Sequence, residues 1–198
     1  MDLFNSSTSL TPIAIEDGQL ALLGQLPLPI SNDEVFASLI ADTDWKSETI
    51  RVWGKLHAQP RLTAWHGDKA YRYSGLTLAP QPFTPLLLTL KAAVEAASGA
   101  CFNSVLLNYY RDGRDSMGMH SDDEAELGPA PVIASLSFGA TRVFLLKHKR
   151  THALLKLPLD DGTLLLMSGN TQANWLHGIN KQTATVGQRV NLTFRFIC

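Results

Sequence analysis

After residue 99 the chain alternates short apolar runs with Gly, Asp and Asn positions, a pattern typical of strands joined by turns. The runs are FNSVLLNYY, VIASLSFG, TRVFLLKH, ALLKLPL, TLLLMSG and QRVNLTFRFI. Several short strands in succession favour a sandwich or a barrel. The second half of the chain is therefore predicted to form an antiparallel β core.

The first half contains the two predicted helices. One is predicted after Ser31, because Glu34 follows three residues later and completes a capping box. The other is the run TPLLLTLKAAVEAASG, in which Thr84 is the expected N-cap, Pro85 the first helical residue and Gly99 the stop. Helices in the first half and strands in the second predict an α+β fold class.

Two further strand patterns lie between the helices. ETIRVWGKLHAQP alternates with β-branched residues and predicts a strand, as one half of a hairpin. RLTAWHGDKAYRYSGLTL predicts strands around a turn at residues 66–68.

The polar N-terminus predicts a flexible tail over residues 1–15, which leaves 16–198 as a single domain.

Composition narrows the classes of function. The chain has 198 residues, enough for one domain with a substantial core, and its formal charge of −1 excludes a global basic field. Any contact with nucleic acid must then come from local patches. Two distant cysteines, Cys101 and Cys198, make no disulfide framework and favour a reducing cytoplasm. No apolar run has the length of a membrane span, and we expect no signal peptide.

The stretch MGMHSDDEAELG places one histidine beside four carboxylates, which repel one another unless a cation lies among them. In a strand, His120 and Asp122 would point to the same face and converge on one point. His177, in NWLHGIN, is the candidate for a third ligand brought close by the fold. Two histidines and one carboxylate suit a non-haem Fe(II) oxygenase. A solvated turn and a hydrolytic zinc site are the alternatives.

The run RVNLTFR predicts a strand with one apolar face and one polar face. The polar face consists of Arg189, Asn191, Thr193 and Arg195, and LLNYY adds Asn108 and Tyr110 at the same spacing. Because guanidinium forks match carboxylates, a small dicarboxylate is a natural ligand for this face. The alternative is an exposed strand with two solvated arginines.

Together these positions closely resemble the AlkB dioxygenases, which use Fe(II) and 2-oxoglutarate to reverse N-alkylation of nucleobases. The resemblance runs from about residue 51 to 196 and is closest to the branch of eukaryotic AlkB homologues 2 and 3. It is carried by PRLTAWHGD, YRYSGLTL, HSDDEAELG, IASLSFGATRVF, LPLDDGTLLLMSG and RVNLTFR. It implies a double-stranded β-helix (jelly-roll) core with supporting helices packed on one sheet. Residues of about 45–80 would form a nucleotide-recognition lid, and 100–198 the catalytic core.

The resemblance also implies roles for the residues named above. His120, Asp122 and His177 would be the catalytic Fe(II) ligands. Arg189 would pair with the distal carboxylate of 2-oxoglutarate, helped by Tyr110. The other end would be held near the metal by Arg195 with Asn108 and Asn191, and Thr193 would line the same wall.

A second group of residues would contact the substrate. Asp123 and Glu124 would favour the cationic bases 1-methyladenine and 3-methylcytosine, unless they only begin a solvated loop. A flipped base would stack between Tyr73 and His120. Tyr71 and Ser74 would line the same pocket, although Tyr71 and Tyr73 could instead be a packed strand pair.

Two further segments suggest contacts with the duplex. Trp53, preceded by Val52, matches an apolar hairpin tip that fills the gap left by the flipped base; the alternative is a core tryptophan. The basic run 147–152, with Arg142, is a candidate for phosphate contacts, and a solvated turn is its alternative.

The function implied by the resemblance is oxidative demethylation of alkylated DNA, single- or double-stranded, with O2 consumed and formaldehyde and succinate released. RNA demethylation, hydroxylation of another target and a non-catalytic damage-binding module are the alternatives. We expect a monomer in the cytoplasm, in the bacterial cytosol, or in the nucleus if the source is eukaryotic.

Overall fold

A computed structural model of the chain describes residues 9–47, 49–52, 55–68, 71–73, 76–78 and 80–198, with the side chains of 50–57 and 71–79 left out. The helices are α1 (Asn32–Asp42), α2 (Pro85–Ser98) and α3 (Thr171–Asn174). The strands are β1 (Thr11–Ile13), β2 (Gln19–Leu23), β3 (Thr49–Val52), β4 (Lys55–Ala58), β5 (Leu62–Gly67), β6 (Tyr71–Tyr73), β7 (Leu76–Leu78), β8 (Ser104–Tyr110), β9 (Met117–His120), β10 (Ile133–Gly139), β11 (Arg142–His148), β12 (Leu154–Leu159), β13 (Leu164–Ser168), β14 (Trp175–Ile179) and β15 (Arg189–Arg195).

The strands form two main antiparallel sheets. The seven-stranded sheet has the order β1-β2-β13-β10-β15-β8-β5, and the four-stranded sheet has the order β12-β11-β14-β9. The hairpins β3–β4 and β6–β7 form two small sheets of their own. All six apolar runs predicted after residue 99 are strands, and the predicted α+β class with a jelly-roll core is confirmed.

The helices α1 and α2 lie on one face of the seven-stranded sheet, as predicted. Val35 and Leu39 of α1 and Leu90 and Val94 of α2 are buried in one apolar cluster with sheet residues such as Phe138. Burying these faces is the main source of helix stability, because propensity alone rarely holds a short helix.

Both helices begin where their capping residues predict. The Ser31 hydroxyl accepts a hydrogen bond from the Glu34 amide, while the Glu34 carboxylate accepts from the Ser31 amide. In α2 the Thr84 hydroxyl accepts from the Leu87 amide at 3.2 Å. Gly99 ends this helix at a φ of 67°, in the left-handed region that favours glycine.

A second apolar cluster fills the space between the two main sheets. The large sheet contributes Trp65 and Leu106, and the small sheet contributes Phe144, Leu146 and Trp175. The polar face of β15 lines a cleft in this same space, together with apolar side chains such as Phe144 and Met167.

Two strands lie in segments for which the sequence predicts a tail and a lid. Thr11–Ile13, which fell in the predicted tail of residues 1–15, forms β1 and pairs with β2 at the edge of the large sheet. The predicted lid of about 45–80 contains β5, which is a full member of the large sheet through its pairing with β8. Both strands depend on long-range pairing, because β5 pairs with β8 and β2, the partner of β1, pairs with β13.

Cys101 and Cys198 are both exposed and free. Within the described ranges, no helix combines the length and the apolar character that crossing a membrane requires.

Candidate active site

His120, Asp122 and His177 come together between the sheets, with their ligand atoms within 4.8 Å of one another. His120 ends β9 and lies directly opposite His177 on β14. Nε2 of His120 is 3.7 Å from one oxygen of Asp122, and Nε2 of His177 is 3.8 Å from the other. Asp122 lies two residues past the end of β9, so the predicted strand spacing is wrong, although the side chains still converge.

The donor set suits a divalent cation. Asp122 is fully buried, and its Oδ2 makes no hydrogen bond within the described part of the chain. Nδ1 of His120 lies 2.9 Å from the carbonyl oxygen of Gly118. A carbonyl only accepts, so Nδ1 is the nitrogen that donates in this contact, and Nε2 is the nitrogen left to bind a metal.

The charge states also suit a metal site. Burial by itself would raise the pKa of Asp122, but the charge of Arg195, with those of His177 and His120, lowers that pKa to about 2. Nη2 of Arg195 donates to the Asp122 carboxylate at 2.8 Å. Burial and the neighbouring His120 lower the pKa of His177 to about 3. The site therefore offers an ionised carboxylate and a neutral imidazole at neutral pH, the forms that bind metals.

The polar face of β15 forms one wall of the same cleft. Arg189 and Arg195 are each only 1% exposed, so the alternative of two solvated arginines is wrong. Arg189 lies opposite Tyr110 in the β15–β8 register, with its guanidinium carbon 5.1 Å from the Tyr110 ring centroid. Burial lowers the pKa of Arg189.

The guanidinium group of Arg189 has N–H donors that no described residue pairs with. Its Nη2 donates to the Ser137 hydroxyl at 2.9 Å, while Nε and Nη1 have no hydrogen-bond partner within the described residues. No acidic side chain of the described residues forms an ion pair with it. A buried guanidinium in this state can bind a carboxylate through its free edge.

The remaining predicted cosubstrate residues belong to the same sheet. Asn191 donates to the Ser135 hydroxyl at 2.8 Å and to the Leu136 carbonyl oxygen at 3.1 Å. Thr193 donates to the Asn191 side-chain oxygen at 3.2 Å, and both residues line the cleft. Asn108 in β8 lies opposite Asn191 and is buried. Its side-chain oxygen accepts a hydrogen bond from Nε of Arg61 at 2.7 Å.

Several residues of this network were not predicted. Ser135 and Ser137 carry the same alternating signal in VIASLSFG that marked the polar face of β15. Arg61 gives no local signal, because its partner Asn108 is 47 residues away. Phe144 and Met167 line the cleft as apolar residues within strands.

The predicted substrate residues are placed only in part. Asp123 is exposed, with its carboxylate 3.7 Å from Nζ of Lys149. Glu124 is half-buried at the start of a short 3-10 turn. The side chains of Val52, Trp53, Tyr71, Tyr73 and Ser74 lie outside the described residues.

The basic run 147–152 is largely engaged within the protein. Arg150 forms ion pairs with Glu16 and Asp17, and Lys149 donates to the Gln172 carbonyl oxygen at 3.0 Å. The prediction that Arg142 contacts phosphate is wrong, because its side chain is buried and donates to backbone carbonyls.

Comparison with known proteins adds to this geometry. Residues 22–195 match the family described as the 2OG-Fe(II) oxygenase superfamily. The chain is 46% identical over 175 residues to alpha-ketoglutarate-dependent dioxygenase alkB homolog 3 of Homo sapiens, covering 83% of this chain and 61% of that protein. It is 41% identical over 178 residues to DNA oxidative demethylase ALKBH2 of Homo sapiens, covering 83% of this chain and 68% of that protein.

The fold has a counterpart among solved structures. The structure of OsALKBH1 superposes with a TM-score of 0.62 and 16% sequence identity, over 94% of this chain and all of that one. The chain spans about three fifths of the length of the alkB homolog 3 proteins that it matches. The matched range includes both predicted metal histidines and both arginines of β15, and the chain belongs to the 2OG-Fe(II) oxygenase superfamily and, within it, to the AlkB family.

Proposed function

We propose that this protein is an Fe(II)- and 2-oxoglutarate-dependent oxidative demethylase of N-alkylated bases in DNA. The observation that carries the proposal is one cleft holding two features together. These are a metal-ligand set of His120, Asp122 and His177, and a buried Arg189 with free guanidinium donors. A hydrolytic zinc site would use the first feature and leave the second unexplained.

The contacts of the residues support the roles proposed for them. His120, Asp122 and His177 would hold Fe(II), which with 2-oxoglutarate activates O2 to hydroxylate the N-methyl carbon of the base. Arg189 would bind the distal carboxylate of 2-oxoglutarate through its free edge, with the Tyr110 ring fixing the guanidinium plane. The hydroxylated methyl group would then leave as formaldehyde.

Two further residues would tune this chemistry. Arg195 keeps Asp122 ionised and fixes the direction of its carboxylate through the 2.8 Å hydrogen bond. Asp123, with 64% of its side chain exposed, would favour a cationic base such as 1-methyladenine over the neutral parent base.

DNA is proposed as the substrate because of the relatives' names. One relative is named DNA oxidative demethylase, and the formal charge of −1 gives no general attraction for polyanions. Selection would then rest on contacts at the damaged base. Since the ligand set and the arginines come from one chain, we also propose that the monomer is active.

The test is a repair assay on a duplex that carries one 1-methyladenine. The metal-free protein is loaded anaerobically with Fe(II), then given 2-oxoglutarate, ascorbate, air and the duplex. Mass loss from the oligonucleotide and succinate are measured together. His177→Ala should abolish both products, whereas Thr89→Ala, at an exposed residue of α2, should change neither.

The outcomes separate the alternatives. Repair by the wild type and not by His177→Ala would support the proposal. Succinate without repair would overturn the duplex substrate, and the assay would be repeated with single-stranded DNA and RNA. Neither product from iron-loaded protein that still binds the lesion would favour a damage-binding module.

A further inference from the structure

The placement of Asp122 requires an explanation that strand pairing does not provide. β9 ends at His120, so the backbone of Asp122 lies two residues beyond the β9–β14 ladder. Its amide N–H is nevertheless buried and bonded, because the side-chain oxygen of Gln172 accepts from it at 2.9 Å. Gln172 is 2% exposed and lies 50 residues further along the chain.

The chemistry of the contact fixes the orientation of the Gln172 amide. A backbone N–H can only donate, so Oε1 must face Asp122 and Nε2 must face away. Nε2 lies 3.6 Å from the sulfur of Met167, which itself lines the cleft with the metal ligands. The buried amide is therefore contacted at both ends and cannot turn over without leaving a donor facing a donor.

The turn that carries Gln172 is itself anchored. The Thr171 hydroxyl donates to the Ser168 carbonyl oxygen at 2.6 Å and also contacts the Gln19 backbone, which ties α3 to the large sheet. Lys149 donates to the Gln172 carbonyl oxygen at 3.0 Å. α3 then runs directly into β14, which carries His177.

We infer that Gln172 is a positioning residue for the metal site, acting through the backbone of Asp122. Arg195 fixes the carboxylate end of Asp122, and Gln172 fixes its main-chain end, so the side chain is held at both ends. Because α3 continues into β14, the same turn couples Asp122 to His177. This inference rests on the proposed metal site. Gln172 would hold Asp122 in the orientation that a metal ion requires before the ion binds.

The test is cobalt binding by the metal-free protein, followed by visible absorption, which needs neither substrate nor turnover. Gln172→Met has a similar volume and replaces the amide oxygen with a thioether, which is only a weak acceptor, whereas Gln172→Glu keeps a strong acceptor at the same reach. Asn174→Leu is the matched control, because this amide of the same turn donates to the Asp17 and Asn170 carbonyl oxygens.

Gln172→Met should weaken cobalt binding by about 10- to 100-fold and alter the visible spectrum of the complex, the range found for outer-shell partners of metal ligands. Gln172→Glu should bind cobalt no more weakly than the wild type. Asn174→Leu should keep the wild-type affinity and spectrum. Circular dichroism of each metal-free variant checks that it is folded.

Wild-type affinity and spectrum in Gln172→Met would overturn the inference, as would an equal loss in Asn174→Leu. If Gln172→Met does not fold, Gln172→Asn replaces it in the test, because its side chain is one methylene shorter and moves the acceptor away from the Asp122 amide. Wild-type cobalt binding by Gln172→Asn would also overturn the inference. Cobalt binding equal in the wild type and in His177→Ala would overturn the metal site itself. Normal cobalt binding without DNA repair would reject only the proposed substrate.

Discussion

Arg189 is the residue whose surroundings argue most directly for a bound anion. It is buried, yet within the described residues its contacts are the Ser137 hydroxyl and the Tyr110 ring rather than a carboxylate. Burying a charge without an opposite charge costs free energy in the ligand-free protein. A dicarboxylate in the cleft would offset that cost, so the same residue links stability to cosubstrate binding.

Replacing Arg189 by methionine should therefore stabilise the ligand-free protein while removing its affinity for 2-oxoglutarate. We expect the free energy of unfolding, measured in denaturant, to rise by about 1–3 kcal/mol, since an apolar residue of similar volume replaces a buried charge. Calorimetric titration of the cobalt-loaded variant should detect no binding of 2-oxoglutarate.

Arg142→Met is the matched control for this prediction. Arg142 is as deeply buried as Arg189, but its guanidinium donates to three backbone carbonyl oxygens, those of Asp112, Asp115 and Asn180. Its loss leaves those acceptors unpaired and should lower the free energy of unfolding by about 1–3 kcal/mol. A stability loss of similar size in both variants would contradict the argument for Arg189.

At the scale of an element, the capping box of α1 predicts a pH-dependent contribution to stability. Hydrogen bonds from the Ser31 side chain and backbone lower the pKa of Glu34 below its ordinary value of 4.5. A folded-state pKa below the unfolded one gives stability that is present above the unfolded pKa and lost as the pH falls through the folded one. Glu34→Gln should therefore lower the melting temperature at neutral pH, and the difference from the wild type should be lost as the pH falls below 4.5 and through the lowered pKa of Glu34.

Thr84→Ala in α2 gives the reference for that experiment. The Thr84 hydroxyl caps the helix without titrating, so its loss should cost about 1 kcal/mol at every pH where the protein folds. A Glu34→Gln difference that stays constant from neutral pH to acid would show that the carboxylate charge contributes nothing to the cap.

The elements differ in how far they can be predicted from the sequence, and the reason is the range of the interactions. The caps of α1 and α2 and the alternation in β15 act over a few residues, so they were predicted with their bounds nearly correct. β1 has no strong local signal in the sequence because it pairs with β2, which itself pairs with β13 some 140 residues away. The contacts of Arg61 with Asn108 and of Gln172 with Asp122 are unpredictable for the same reason.

At the scale of the whole molecule, each main sheet supplies part of the site. His120 and His177 belong to the four-stranded sheet, and Arg189 and Tyr110 belong to the seven-stranded sheet. Asp122 and Arg195 form the ion pair that joins the two parts. In the proposed function the metal would bind chiefly to one part and the cosubstrate carboxylate to the other, so their binding should be coupled through the cleft between the sheets.

This division predicts that metal and cosubstrate stabilise the fold cooperatively. A ligand stabilises the native state according to its concentration relative to its Kd, so tighter binding in the presence of the other ligand gives a larger shift in melting temperature. We expect 2-oxoglutarate alone to shift the melting temperature little, and 2-oxoglutarate with cobalt to shift it by more than the sum of the separate shifts. In Arg189→Met the cobalt shift should remain and the cosubstrate increment should disappear. Strictly additive shifts in the wild type would show that the two sheets bind their ligands independently, and would contradict a single cleft in which Arg189 holds the cosubstrate beside the metal.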